Sequence, residues 1–270
     1  MDFNQIMGYL LAVLVGISLG LIGSGGSILT VPILVYIMAV NPIIATAYSL
    51  FIVGSTALVG GIKSAIEKKV DFKTVLIFGI PSIAAVYVTR AFLVPIIPDV
   101  IATFGTFEFT KSIALMLLFA VVMILASISM IRPSKNTTTE TETKMQYNYP
   151  MILLEGTLVG VLTGLVGAGG GFLIIPALVL LAKMPMKLAV GTSLFIIAAK
   201  SLIGFIGDVQ KTPNLDWSLL LIFTAFSVIG IFIGIALAKK IDGSKLKTAF
   251  GWFVLIMGIY IIIKETLLKG

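Results

Sequence analysis

Apolar residues run through this chain in long unbroken blocks, not in the one-sided stripes of a soluble helix. Six blocks have the length a helix needs to cross a hydrocarbon core. They cover 43–62, 74–93, 111–131, 186–207, 217–238 and 247–267. Two further regions, 6–40 and 150–182, are equally apolar but are interrupted by glycine clusters, Gly23-Ser24-Gly25-Gly26 and Gly167-Ala168-Gly169-Gly170-Gly171. Each predicts two short helical arms around a break. The one long polar stretch, 132–149 (RPSKNTTTETETKMQYNY), divides the chain into a first membrane unit, 1–131, and a second, 150–270.

Composition agrees with the pattern. Of the 270 residues 59% are hydrophobic and 11% charged, with a mean hydropathy of +1.14, against about 25% charged in soluble domains. The expected class is an all-α polytopic membrane protein. The chain has no Cys and no His. Thiolate and imidazole metal sites, thiol nucleophiles and Ser-His-Asp triads are therefore excluded. No nucleotide-binding Gly-x4-Gly-Lys-Ser/Thr motif occurs. No enzyme, cofactor or metal is expected. The net charge of +7 is spread over short loops and reads as a topology signal, not a nucleic-acid surface. No cleavable targeting segment is expected at MDFNQIMGYL, which has an acidic and no basic residue before the first apolar run.

The two units are copies of one another. A shift of 144 residues lays Gly16-Ile17-Ser18-Leu19-Gly20-Leu21-Ile22-Gly23 on Gly160-Val161-Leu162-Thr163-Gly164-Leu165-Val166-Gly167, then Pro32 on Pro176 and Ser49-Leu50-Phe51-Ile52 on Ser193-Leu194-Phe195-Ile196. One residue more brings Asp71 onto Asp216. Equivalent loops carry opposite charge bias: 63–73 holds Lys63, Lys68, Lys69 and Lys73, whereas 208–216 holds only Lys211. By the positive-inside rule the copies are inverted. Each is expected to consist of a glycine-broken helical pair plus three transmembrane helices. Loops 63–73, 132–149, 183–187 and 239–247 then lie inside with 13 of the 19 basic residues, and both termini face outward. The sequon Asn136-Thr137-Thr138 falls in the inside linker and is discounted.

Inverted-repeat transporters bind substrate at discontinuous helices near the bilayer midplane. Backbone N–H groups freed by a break, together with the helix dipole, favour an anion. On this reading Ser27 and Gly171 open the second arms, and Ser24, Gly25, Gly26, Gly169 and Gly170 let backbone approach a ligand. Gly16-x3-Gly20, Gly156-x3-Gly160-x3-Gly164 and Gly230-x3-Gly234 read instead as helix-packing contacts. Lys200 lies well inside a span, where a cation costs roughly 2.5–3.5 kcal/mol on the insertion scale. It is the foremost candidate for anion binding or coupling; a structural ion pair is the competing reading. Glu155 is its candidate partner and a candidate for proton coupling. Ser49, Thr192 and Ser193 are candidate hydroxyl donors, although Ser and Thr in membrane helices often bond their own backbone. Arg90 and Asp208 fall at predicted outer ends, where a solvated or mouth-lining place is expected.

The doubled motif Gly20-Leu21-Ile22-Gly23-Ser24-Gly25-Gly26 with Pro32, and Gly164-Leu165-Val166-Gly167-Ala168-Gly169-Gly170-Gly171 with Pro176, resembles the signature of the TauE/SafE sulfite-exporter family. Ala189-Val190-Gly191-Thr192-Ser193-Leu194 and the Gly230/Gly234 segment running into Ala238-Lys239-Lys240 are similar too. The first half departs from this pattern at Ala47-Tyr48-Ser49, where the second half has Gly191-Thr192-Ser193. The resemblance implies a multi-pass permease or exporter in the cytoplasmic membrane of a prokaryote. Its partners would be the lipid bilayer and a small sulfur-containing anion such as sulfite, sulfoacetate or a related sulfonate, moved by alternating access. A passive anion channel and a non-transporting membrane subunit are the alternatives.

Overall fold

The computed structural model describes residues 3–23, 26–104, 107–131, 149–167, 169–171, 174–175, 178, 184–209, 215–238 and 243–267. The linker 132–148, Ser24, Gly25, Ala168 and Pro176 lie outside the described residues.

Nine α-helices are named here. The first half holds α1 (Phe3–Ile22), α2 (Ser27–Pro32), α3 (Pro42–Ile66), α4 (Phe72–Val88) and α5 (Lys111–Ile131). The second holds α6 (Tyr149–Val166), α7 (Met186–Val209), α8 (Trp217–Leu237) and α9 (Gly243–Leu267). Among the described residues, six helical stretches are long and apolar enough to cross a membrane: 3–22, 42–66, 72–96, 111–128, 187–209 and 217–237. Between 96 and 111 stands a small hairpin, β1 (Val100–Phe104) against β2 (Phe107–Thr110), on a stretch read from sequence as loop. The described residues are otherwise predominantly helical, and the protein is polytopic.

Helix starts follow the sequence. Asn41 caps α3 by accepting from Ile43 N–H at 3.0 Å, ahead of Pro42 at the first helical position. Asp71 and Asp216, the repeat-equivalent pair, cap α4 and α8. Large apolar side chains such as Leu10, Leu14, Ile80, Leu125, Leu221 and Ile256 point outward, the pattern of a body solvated by lipid. Polar side chains go inside: Ser27, Thr30, Ser49, Thr56, Thr192, Ser193, Lys200 and Ser201 are all fully buried.

Helix pairing repeats the duplication contact by contact. Gly16 of α1 lies on Ser227 and Ile231 of α8, and Gly160 of α6 lies on Ser82 and Ala85 of α4. A Cβ on Gly16 would sit 1.9 Å from the Ser227 carbonyl oxygen, and one on Gly160 would sit 2.5 Å from that of Ser82. No larger residue fits either seam without parting the helices. Both of these pairs are parallel. The equivalent helices α3 and α7 instead pair with each other, Leu50 beside Gly204, Gly54 beside Leu202 and Gly60 beside Leu194. As the residue number rises on one it falls on the other, so α3 and α7 are antiparallel. The equivalents α5 and α9 are antiparallel as well, with Met130 at Gly251 and Ile124 at Gly258.

Candidate functional site

The two glycine breaks meet the partner half at matched places. α1 ends at Gly23 (φ +78°), whose N–H donates to Leu19 O at 2.7 Å; α6 ends at Gly167 (φ +75°), whose N–H donates to Thr163 O at 2.8 Å. Positive φ ends a helix with little penalty only for glycine. Gly23 is packed on Val190 at the start of α7, and Gly167 on Thr46 at the start of α3, which are again equivalent residues. Just beyond, the chain reaches mid-depth. Gly169 lies beside Ser27 of the other break, between Val53 of α3 and Ile197 of α7. Val53 and Ile197 are themselves equivalent by the 144-residue shift, so the two interrupted segments meet between equivalent residues of α3 and α7.

From Ser27 the chain continues through α2 and a π-helical turn, Ile33–Ile37, that follows Pro32. A proline inside a helix removes a backbone donor and crowds the preceding turn. The whole arm, 27–37, is about 16 Å long at 1.5 Å per residue, half of a bilayer core. α1 alone is about 30 Å, a full crossing. The two arms expected from the sequence are therefore unequal.

Lys200 lies one turn beyond Ile197 on α7, with none of its surface exposed. Its Nζ donates to Thr163 Oγ1 at 2.9 Å, and it forms no ion pair among the described residues. A Cβ on Gly170 (φ +59°) would fall 2.8 Å from Nζ and 2.0 Å from Thr163 Oγ1. The ammonium thus faces bare backbone of the break. Any side chain at 170 would displace it.

Glu155 is not brought to this cation. It is half-buried on α6, two helical turns before Thr163, about 12 Å along the axis. The hydroxyls are likewise dispersed. Ser193 lies two turns before Lys200 on α7 and donates to Val190 O at 2.8 Å. Ser49 neighbours Leu50, the residue opposite Gly204, and its Oγ is buried without a hydrogen-bond partner among the described residues. Gly26 is pressed against Ser18 and Val15 of α1, and Gly171 is buried.

Thr192 has a defined place of another kind. Its Oγ1 accepts the backbone N–H of Asp71 at 2.9 Å. The equivalent N–H, that of Asp216, donates to Tyr48 OH at 2.6 Å. Tyr48 occupies the position of Thr192 in the first half, so the departure from the repeat pattern there keeps a hydroxyl at the same cap.

Arg90 and Asp208 depart from the sequence expectation. Arg90 is 1% exposed, not solvated at a mouth. The physical reason is that, within the predicted block 74–93, α4 passes into a π-helical turn, Thr89–Leu93, and then runs on to Ile96. That wide turn carries Arg90 inward, where Nη1 donates to Thr46 Oγ1 at 3.0 Å and lies 3.4 Å from Asp208 Oδ2. π-turns of this kind recur at functional sites. On the opposite, lipid-facing side the same segment lines an apolar groove of about 550 Å³ with Pro81, Phe92 and Val161.

Two buried cations therefore flank one glycine turn, Lys200 against Gly170 and Arg90 linked through Thr46 to Gly167. The match to the sulfite exporter TauE/SafE family covers residues 9–261. The chain belongs to the TauE/SafE family. Its relatives are named for transport. It is 32% identical over 256 residues to a "Probable membrane transporter protein" of Xylella fastidiosa strain 9a5c, covering 92% of this chain and 91% of the relative. It is 30% identical over 272 residues to the "Probable membrane transporter protein YunE" of Bacillus subtilis, covering 95% and 98%. A probable membrane transporter of the archaeon Methanocaldococcus jannaschii is 27% identical over 281 residues, covering 97% and 98%. No solved structure matches the chain. As a TauE/SafE member with six membrane-long helices among the described residues, this is a multi-pass membrane transporter protein.

Proposed function

We propose that this TauE/SafE protein is a secondary transporter of a small sulfur-containing anion, sulfite, sulfoacetate or a related sulfonate, in the cytoplasmic membrane of a prokaryote. The two halves lie inverted in the bilayer and alternate access to a site between the glycine breaks. The antiparallel pairing of the equivalent helices α3 and α7 supports inversion, as does the opposite charge of equivalent loops.

One observation carries the anion reading. Lys200 is buried in the span without a counter-charge among the described residues, and its Nζ abuts the backbone of Gly170. An ion kept dry is a heavy penalty for the fold alone. The penalty makes sense where a substrate anion supplies the missing charge for part of the cycle. Thr163 orients the ammonium, and glycine at 169–170 leaves room for the anion to approach. Rocking of one half against the other would expose the site to each side in turn.

The test is a thermal-shift panel on purified protein with sulfite, sulfoacetate, thiosulfate, sulfate and chloride, followed by flux of the best ligand in proteoliposomes. Stabilisation confined to the sulfur oxyanions and flux that saturates with concentration are expected. Equal response to chloride, or flux that never saturates, would replace the carrier with a channel.

A further inference from the structure

Among the described residues the guanidinium of Arg90 is held by one nitrogen. Nη1 is engaged by Thr46 and Asp208, whereas Nε and Nη2 are both buried and without a hydrogen-bond partner among the described residues. The division is geometric. Nε–H and one N–H of Nη2 point in parallel from a single edge of the planar group, the edge that grips two oxygens carried on one atom. Buried guanidinium donors are ordinarily satisfied. Here one corner is fixed in place and the whole bidentate edge is left open.

We infer that this Nε/Nη2 edge is a second oxyanion-binding position, distinct from Lys200, for a ligand that presents two oxygens on one atom: a sulfonate, sulfite or carboxylate. Asp208 is two turns beyond Lys200 on α7, about 12 Å along the helix, on the side of the α7–α8 connection. Gly167 lies on Thr46, the Arg90 partner, and Gly170 lies on Lys200, so this glycine turn touches the surroundings of both cations. An anion leaving Lys200 along this turn meets the Arg90 edge next. Thr46 and Asp208 orient the fork, and Asp208 weakens its net attraction so that the anion is released instead of trapped. Chloride, a single sphere, cannot use both donors at once, so this position sorts ligands by shape while Lys200 attracts by charge. The inference rests on the anion-carrier reading for its ligand class, but not on Lys200 being a site.

The sequence has two arginines, Arg90 and Arg132, the latter in the linker. In an R132K protein labelled with 15N-arginine, Arg90 gives the one arginine Nε–H resonance. Titration with methanesulfonate is expected to move that resonance saturably, and chloride at equal ionic strength is expected to leave it in place. The same titration in a K200M, R132K protein separates the two sites. A shift that persists there shows occupancy of the Arg90 edge itself. A shift lost with Lys200 means that Arg90 only senses the other position, and overturns the inference. Absence of any shift, or an equal response to chloride, overturns it too. R90K keeps the charge and loses the fork. It should lower methanesulfonate affinity at least tenfold with chloride affinity unchanged; unchanged methanesulfonate affinity refutes the site even if K200M abolishes transport.

Discussion

Replacing Lys200 with Met separates function from stability more sharply than any other single change. The side chain is fully buried in a membrane span, with one hydrogen bond among the described residues, to Thr163. A mid-span cation costs about 2.5–3.5 kcal/mol on the insertion scale, and one charge-assisted hydrogen bond returns about 1.5–3 kcal/mol. The balance is near zero or unfavourable by roughly 1–2 kcal/mol. Met has a similar length and no charge, so Lys200→Met should leave the ligand-free protein as stable as the parent or raise its Tm by a few degrees, at about 2–4 °C per kcal/mol for a chain of this size. Ligand stabilisation should move the other way. At a sulfite concentration near 100 times Kd the parent gains about 2.7 kcal/mol, and the variant should lose most of that increment. The assay is thermal unfolding in detergent with and without sulfite, paired with proteoliposome flux. A variant that unfolds well below the parent yet keeps its sulfite shift and its flux would make Lys200 a structural residue and refute the reasoning.

Three more outcomes follow from the same geometry. Thr163→Val removes the acceptor for Lys200 Nζ and should weaken sulfite binding without loss of the folded protein, as read by a binding titration. Gly160→Val puts side-chain atoms into the Ser82 backbone and should cost about 1–3 kcal/mol or more, whereas Gly79→Ala, which meets nothing within 4 Å, should be neutral or slightly stabilising in the same melting assay. Tyr48→Phe and Thr192→Val each strip the acceptor from an equivalent aspartate N–H, so their losses in Tm should be similar, about 1 kcal/mol each.

The spans were legible because hydrocarbon tolerates little else than long apolar helices: α3, α4, α5, α7 and α8, all of membrane length, fall on predicted blocks, and the last block, 247–267, is the helix α9. The breaks were legible because glycine clusters at matched spacing have few other uses, and the second arm does open at Ser27. What sequence could not supply is which distant residues share a depth. Thr163, not Glu155, meets Lys200, because α6 slides past α7 at a height that no local pattern encodes. Arg90 was misplaced for a subtler reason. The predicted block 74–93 holds Arg90 near its end, but the π-helical turn that rotates the arginine into the interior leaves no mark in hydropathy. The role of Tyr48 was visible only as a mismatch between the repeats. The hairpin at 100–110 was missed because its few alternating residues are bracketed by apolar helices.

The claim on which the rest depends is that the two copies lie inverted around the meeting point of their breaks. The chain has no cysteine, so single cysteines can be placed at equivalent loop positions, Lys68→Cys between α3 and α4 and Thr212→Cys between α7 and α8. Labelling of intact cells with a membrane-impermeant thiol reagent should modify position 212 at once and position 68 only after the membrane is opened. Labelling of both positions from the same side would contradict inversion.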